Sequence, residues 1–487
     1  MLKERKRLEC RRASGGITVF LTGMLVIFMT FILACVDAVR TYVIRVEAEC
    51  IAQMGLDSVF AEYNRELLDR YDLFFIDTTY GYAQPSYGRT EAHLSAYMEA
   101  NLHPEEDLAL WNSRDFLDME LVGAEIVAAS LATDDNGCDV RYQAVLYMRD
   151  KVGLALIEDM QAHMETVRDY EMDVRDVEQE AAENESEIDG MPLPQEQLED
   201  GSFVDAKIDN PADGVNSSRF KGILYLVVKN TSAISKRVIN PDNYVSHREC
   251  NVGSGAAGDE QATAVDEILF GEYLIEKCSY YGAEQEGGEL AYELEYILAG
   301  KSSDMENLKW VSGRLIMVRE VANITYLYTD KKKVGEADAL AWGLSIVALK
   351  PQMQPLIKNS LLFAWAYAES VQDVKILMSG GKVPLLKDKS TWHLSLDHML
   401  DYQNHLEESG EEGLDYITYL RLLLMLTNPD EKVMRFMDVV EMNLRRTEGN
   451  EYFRMDGCMD AVTAAITISG RGNVVIEMLK EYSYLNR

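Results

Sequence analysis

"ITVFLTGMLVIFMTFILACVDAVRTYVIRVEAECIAQMGLDSVFAEYNRELLDRYDLFFID" (Ile17–Asp77) decides how the rest of the chain is read. Its first 20 residues, Ile17–Val36, carry no charge. As a helix they span about 30 Å, the thickness of a bilayer's hydrocarbon core. Beyond them Val39, Val43, Val46, Cys50 and Met54, then Leu56, Val59, Phe60, Tyr63, Leu67 and Tyr71, recur at three- and four-residue steps without a proline. The pattern predicts one helix of about 55 residues, roughly 80 Å long, that lifts whatever follows off the membrane. Leu73–Ile76 reads as the short strand at which this helix joins a folded domain. Leu56, Phe60, Tyr63 and Leu67 form a stripe expected either to pack against other segments or to serve as an assembly surface.

The flanks give the orientation. Residues 1–16 are a basic tail, whose first 12 residues hold six basic residues against two acidic ones. The positive-inside rule places this tail in the cytoplasm and everything beyond 36 outside the cell. Two other readings of the segment stay open: a cleaved signal peptide ending near Val36-Asp37-Ala38, and a lipoprotein site at Ile32-Leu33-Ala34-Cys35. No second apolar run of this length occurs in the 487 residues. The net charge of −35, more negative still without the basic tail, argues against a nucleic-acid partner. The seven cysteines are widely spaced with no CxxC, so neither a zinc site nor a disulfide framework is expected.

The expected class is α+β: a single transmembrane helix continuing into a long helix, then a helix-rich ectodomain with short antiparallel sheets. The expected divisions are 1–16 (tail), 17–36 (membrane), 37–72 (membrane-proximal helix), 73–190 (first ectodomain part), 191–262 (acidic and polar linker) and 263–487 (second, helix-rich part). Phe116–Thr133 reads as strand pairs and Val140–Glu187 as one helix. Residues 171–200 hold twelve acidic residues and one basic, a solvated face running into the linker. Asn240–Ala262 reads as polar and mobile. The alternation of Leu290, Tyr292, Leu294, Tyr296 and Leu298 predicts a half-buried strand with Glu293 and Glu295 facing water. Ser303 and Glu306 form a capping box that starts a helix to about Thr329. Further helices are expected at Ala264–Tyr281, Glu336–Leu349, Gln354–Met378, Leu414–Leu426 and Glu431–Arg446, and strands near the C-terminus.

The motifs with chemical connotations are weak. "GSGAAG" (Gly253–Gly258) matches GxGxxG, but no buried strand leads into it, and a dinucleotide fold needs one. "SGGKVPL" (Ser379–Leu385) lacks both the first glycine and the Ser/Thr of a phosphate loop. His393, Asp397, His398 and His405 do not share a helical face and read as surface residues. No nucleophile elbow sits on a strand-to-helix turn. No catalytic, cofactor-binding or metal-ligating residue is therefore nominated, and no cofactor is expected.

"ITVFL" at the start of the apolar segment, "DSVFAEYNRELLDRYDLFFID" (Asp57–Asp77), "LEYILAGKSSDMENLK" (Leu294–Lys309), "VREVANITYLYTD" (Val318–Asp330), "WAYAESVQDVKILMSGGKVPL" (Trp365–Leu385) and "DYITYLRLLLML" (Asp415–Leu426) carry a resemblance. The chain resembles an uncharacterised family of single-pass membrane proteins of Gram-positive bacteria whose members look like products of tight-adherence (Flp-type) pilus gene clusters. The resemblance implies a cell-membrane location and, as partners, pilus or pseudopilin-like subunits besides the lipid bilayer at Ile17–Val36. One departure stands out: pilin leaders carry glutamate five residues after the cleaved glycine, and here Leu21 follows Gly16 at that distance. A non-catalytic structural or assembly component is the expected function. An extracellular hydrolase of wall or surface polymers is the alternative, and a sensor is disfavoured by the short tail.

Overall fold

The computed structural model describes residues 13–102, 117–192, 195–197, 203–205, 210–254, 263–403 and 412–485. Helix α1 (Ala13–Phe60) runs unbroken through the apolar segment. Its most apolar window has a mean hydropathy of 2.7 with no residue buried, and among the described helices it alone is long and apolar enough to cross a membrane. The expected continuation to Tyr71 is interrupted. Asn64 takes up extended backbone and its side-chain oxygen accepts from the Leu67 amide, so it caps a new helix, α2 (Arg65–Tyr71), rather than prolonging the first. Asp72, in the left-handed region, ends α2. Leu73–Ile76 then contributes only the start of a two-residue strand, β1 (Ile76–Asp77).

Next come α3 (Tyr87–Leu102) and β2 (Glu120–Leu131). The strand pairs predicted over Phe116–Thr133 are thus one long strand, whose pairing with the C-terminal strand Cys458–Gly470 shifts register at three places. The single helix expected over Val140–Glu187 is three: α4 (Cys138–Arg149), α5 (Leu154–Asp169) and α6 (Val177–Asp189). Gly153 begins the second, and Glu171, with φ 54°, turns the chain after it. A small ribbon follows, β3 (Gln195–Gln197) with β4 (Phe203–Asp205), and then α7 (Ala212–Asn216) and α8 (Ile223–Val227). Val215, Ile223, Leu224 and Val227 are buried, so much of the predicted 191–262 linker is core. The polar stretch after Asn240 is pinned as well: Arg248 pairs with Glu441 and Asp456, and the Asn251 amide donates to Asp456 at 3.1 Å.

After a capping box at Thr263 and Asp266 comes α9 (Ala264–Lys277). The expected strand at Leu290–Leu298 is instead α10 (Glu293–Ala299), buried on every side. Glu293 and Glu295 do not face water: Glu293 accepts from the Ser279 amide at 2.8 Å and Glu295 from the Tyr416 hydroxyl at 2.7 Å. Ser303 caps α11 (Asp304–Thr329), its hydroxyl accepting from the Glu306 amide at 3.3 Å; the Glu306 carboxylate accepts from that hydroxyl at 3.2 Å instead of from the Ser303 amide, so half of the predicted capping box forms. Then come α12 (Lys331–Val347), α13 (Gln354–Met378), α14 (Tyr416–Leu426) and α15 (Pro429–Leu444). The chain closes with β5 (Cys458–Gly470) and β6 (Val474–Ser483).

Strand β5 lies at the centre of an antiparallel sheet. It pairs with β2 along one edge, and with β1 and then β6 along the other. Its alternate residues Val462, Ala464, Ile466 and Ile468 are buried in one apolar core together with Ile44, Ala48, Ile51, Leu56 and Phe60 of α1. Near the β5–β6 turn, a Cβ added to Gly470 would lie 2.9 Å from the Ile44 side chain, so helix and hairpin are in close contact there. Ile44 is eight residues beyond Val36, about 12 Å along the helix. The long stalk read from the sequence therefore shrinks to one short exposed connection, because the outer part of α1 is built into the sheet.

A second and larger core gathers the helices around α13, in which every residue from Ser360 to Met378 is buried. The two predicted ectodomain parts are not separate units. Strand β2 from the first pairs with β5 from the second, and the Asn443 amide donates to the Tyr71 hydroxyl at 2.9 Å.

Candidate functional site

Helix α13 reads LLFAWAYAESVQDVKILM over Leu361–Met378, an apolar helix interrupted by Glu369 and Asp373. The i, i+4 spacing puts both carboxylates on one face. From the loop beyond the helix Lys387 enters between them, its Nζ 2.7 Å from Glu369 Oε1 and 2.7 Å from Asp373 Oδ1. From α11, Arg319 Nε donates to Asp373 Oδ2 at 3.0 Å, and Asn323 donates to the same oxygen at 3.0 Å. Arg319 also reaches the Leu385 carbonyl at 2.6 Å and the Tyr419 hydroxyl of α14 at 3.0 Å. The side chains of these four charged residues are wholly inaccessible to solvent.

The loop is held from its other end too. The amides of His393 and Leu394 each donate to Glu369 at 2.9 Å, and His393 Nδ1 lies 2.9 Å from Glu369 Oε1. Trp365 Nε1 donates to the Leu394 carbonyl at 3.0 Å, and Trp392 donates to the same oxygen at 2.5 Å. Burial alone pushes both carboxyl groups towards protonation. For Glu369 the positive charge of Lys387 and the His393 hydrogen bond outweigh it, and for Asp373 the charges of Lys387 and Arg319 do. Both carboxylates are held below their ordinary range.

Glu369, Asp373 and His393 present ligand atoms within 4.8 Å of one another, a spacing that suits a metal ion. The charges do not suit it. Lys387 Nζ already occupies the position between the carboxylates, and Arg319 and Lys387 together neutralise them. A divalent cation would bring uncompensated charge into a sealed core. The cluster can fasten α11, α13, α14 and the 385–394 loop together, and it offers no open coordination position.

His393 thus leaves the predicted set of surface histidines, whereas His398 stays exposed beside Ser395, 2.8 Å from its hydroxyl. His405 lies outside the described residues, as do residues 1–12 of the basic tail and Gly255–Gly258 of GSGAAG. The described start of that motif docks on β2: the Gly253 amide donates to Asp134 and the Ser254 amide to the Ala129 carbonyl, at 2.8 and 2.9 Å. Gly380, with φ 83°, turns the chain after α13, where the rejected phosphate-loop reading had placed a motif.

The four stripe residues fall into two bodies. Leu56 and Phe60 are buried against the sheet, with Phe60 4.2 Å from the Tyr482 ring, while Leu67 belongs to the helical core. Tyr63, in the break between α1 and α2, is half-buried against Phe74. The interruption at Asn64 is what divides them.

An open cleft of about 390 Å³ lies between α10, α11 and α15, lined by Lys301, Trp310, Arg314, Glu431 and Arg435 among others. Arg435 is committed to the end of α10, donating to the Ile297 and Leu298 carbonyls at 3.1 and 3.0 Å. Among the described residues Glu431 is the only carboxylate in the lining, so they supply no carboxylate pair there for glycoside chemistry.

Residues 202–470, more than half the chain, match the model of a family of unknown function, DUF5702. Comparison with curated proteins and with solved structures returns no match.

Proposed function

We propose, from the premise that this chain belongs to the DUF5702 family of unknown function, that it is a membrane-anchored extracellular structural or assembly component, associated with a tight-adherence (Flp-type) pilus or a related surface secretion system. The observation that carries this reading is α1: one uninterrupted helix begins in a charge-free segment of bilayer length and ends in the core of the sheet. Anchor and domain are then a single stiff piece, which suits a part that holds others in place. The buried charge cluster adds to this reading, because it ties helices together and leaves no group free for turnover. The basic tail orients the N-terminus to the cytoplasm by the positive-inside rule.

Affinity purification of the full chain from detergent-solubilised membranes tests it. Pilus subunits or their assembly platform are expected among the recovered proteins; a clean preparation without any of them overturns the pilus association. N-terminal sequencing of the mature protein separates an uncleaved anchor, which begins upstream of Ile17, from a signal peptide removed near Ala38. Hydrolysis of purified wall polymer by the same preparation would favour the hydrolase reading instead.

A further inference from the structure

Helix α1 has two apolar faces, and the domain uses only one of them. Ile44, Ala48, Ile51 and Ala52 face the sheet and are buried. On nearly the opposite side Val39, Val43 and Val46 are 62, 40 and 42 % exposed, and Cys50 is exposed in line with them. Val39 falls at headgroup depth, but Val43, Val46 and Cys50 lie about 10 to 21 Å beyond the charge-free segment, past the headgroups of a bilayer placed on it, and exposed apolar residues in line there call for a partner. Their steps of four, three and four are the a and d positions of a heptad. The same register runs back through Val36, Ile32, Met29 and Leu25, giving four heptads' length in all.

We propose that this face packs against the same face of a second copy of the chain, as a parallel two-helix coiled coil that begins in the membrane and ends near Cys50. A heptad seam is a surface for another helix, and two copies anchored in one membrane with one orientation present theirs in parallel. The flanking positions do not oppose like charges: Glu47 faces Tyr42 across the seam, and Glu49 faces Met54. From Leu25 to Cys50 the seam is about 38 Å long and, at a helix's width of about 10 Å, covers about 380 Å² per copy. That is about half of what a freely diffusing pair needs. Confinement of both copies to the membrane supplies the remainder as effective concentration. The inference rests on the anchored reading above, and it names a partner for that anchor.

Oxidative cross-linking of the full chain in intact membranes tests it, in a background with Cys10→Ser and Cys35→Ser. Two facing thiols form one disulfide when copper phenanthroline takes up the two electrons and solvent the two protons. Native Cys50, and Val46→Cys placed in a Cys50→Ser chain, should give a band at twice the chain mass at least about five times stronger than Arg45→Cys, which lies on the exposed flank. Val43→Asp with Val46→Asp should abolish the Cys50 band without unfolding the domain, since both side chains project away from its core. Equal cross-linking at position 45, no dimer band, or a Cys50 adduct with a different protein overturns the inference. Alkaline carbonate extraction of the same membranes keeps the two ideas apart. A chain that washes off refutes the anchor, while a retained chain without the dimer band refutes only the pairing.

Discussion

Around β5 the buried side chains are mostly alanine, isoleucine, valine and methionine, whereas around α13 the interior also carries Arg319, Glu320, Glu369, Asp373 and Lys387. The sheet body is held by apolar burial, which is non-directional and indifferent to protonation. The helical body depends on ion pairs and hydrogen bonds that must all be satisfied at once. Each body is therefore vulnerable in its own way: the first to lost volume, the second to a lost charge or a changed pH.

The largest expected effect tests the charge dependence. Lys387→Met leaves Glu369 and Asp373 buried side by side, with Arg319 the only buried cation on the pair. It should cost about 3–5 kcal/mol, read by chemical denaturation in detergent with tryptophan fluorescence. Four of the five tryptophans, Trp310, Trp342, Trp365 and Trp392, belong to the helical body, so in a Trp111→Phe background the signal reports that body. A loss below about 1 kcal/mol would mean that the pairs contribute little there. The matching test of the sheet body is Phe60→Ala, expected to cost about 3–4 kcal/mol through lost packing. Hydrogen exchange should show its openings first in β5 and β6, and equal loosening around α13 would erase the distinction.

Stability of the helical body should be greatest in mildly acidic solution. Burial raises Glu295 and Glu320 to about 7 and Asp438 to about 6. Between the ordinary carboxylate range and these values the folded chain binds more protons than the unfolded one, so stability falls as pH rises through 6 to 7. Glu369 and Asp373 have the opposite sign: their contribution is present above the ordinary range and lost as pH falls through their lowered folded values. Glu295→Gln should therefore raise stability at pH 8 by about 1–3 kcal/mol and flatten the alkaline limb of the pH profile. An unchanged profile refutes the assignment. The smallest effect is at the seam between the bodies. Asn64→Ala removes the cap of α2 and its 2.8 Å bond to Asn450, and should cost about 1 kcal/mol in the same denaturation assay.

Periodicity made the long apolar helix, the Ser303 cap and the bounds of α13 legible in the sequence, because a long amphipathic or apolar run admits one secondary structure. It failed at Leu290–Leu298, where a short run buried on all sides carries no periodic signal, and the two glutamates that suggested a wet face are bonded inside. It failed at Val140–Glu187, where a helical face continues across breaks set by local backbone turns. The charge cluster was invisible as a cluster, since Arg319 and Lys387 come from segments far apart in the chain. One clue was available: Glu369 and Asp373, four residues apart in an otherwise apolar helix, required buried partners. The valine row of α1 is plain in the sequence, but nothing in the sequence alone says that the sheet covers the opposite face.

The contact between Ile44 and Gly470 has a mechanical consequence. Strands β5 and β6 run alongside the outer part of α1, with their shared turn towards the charge-free segment and Tyr484 bonded to the Phe60 carbonyl at the far end. A pull along the axis of α1 would load the packed face between the helix and the hairpin in shear, along its whole length, while the ten paired positions of the β5–β6 ladder, joined at the turn, move together. Helix and hairpin can thus carry tension as one unit.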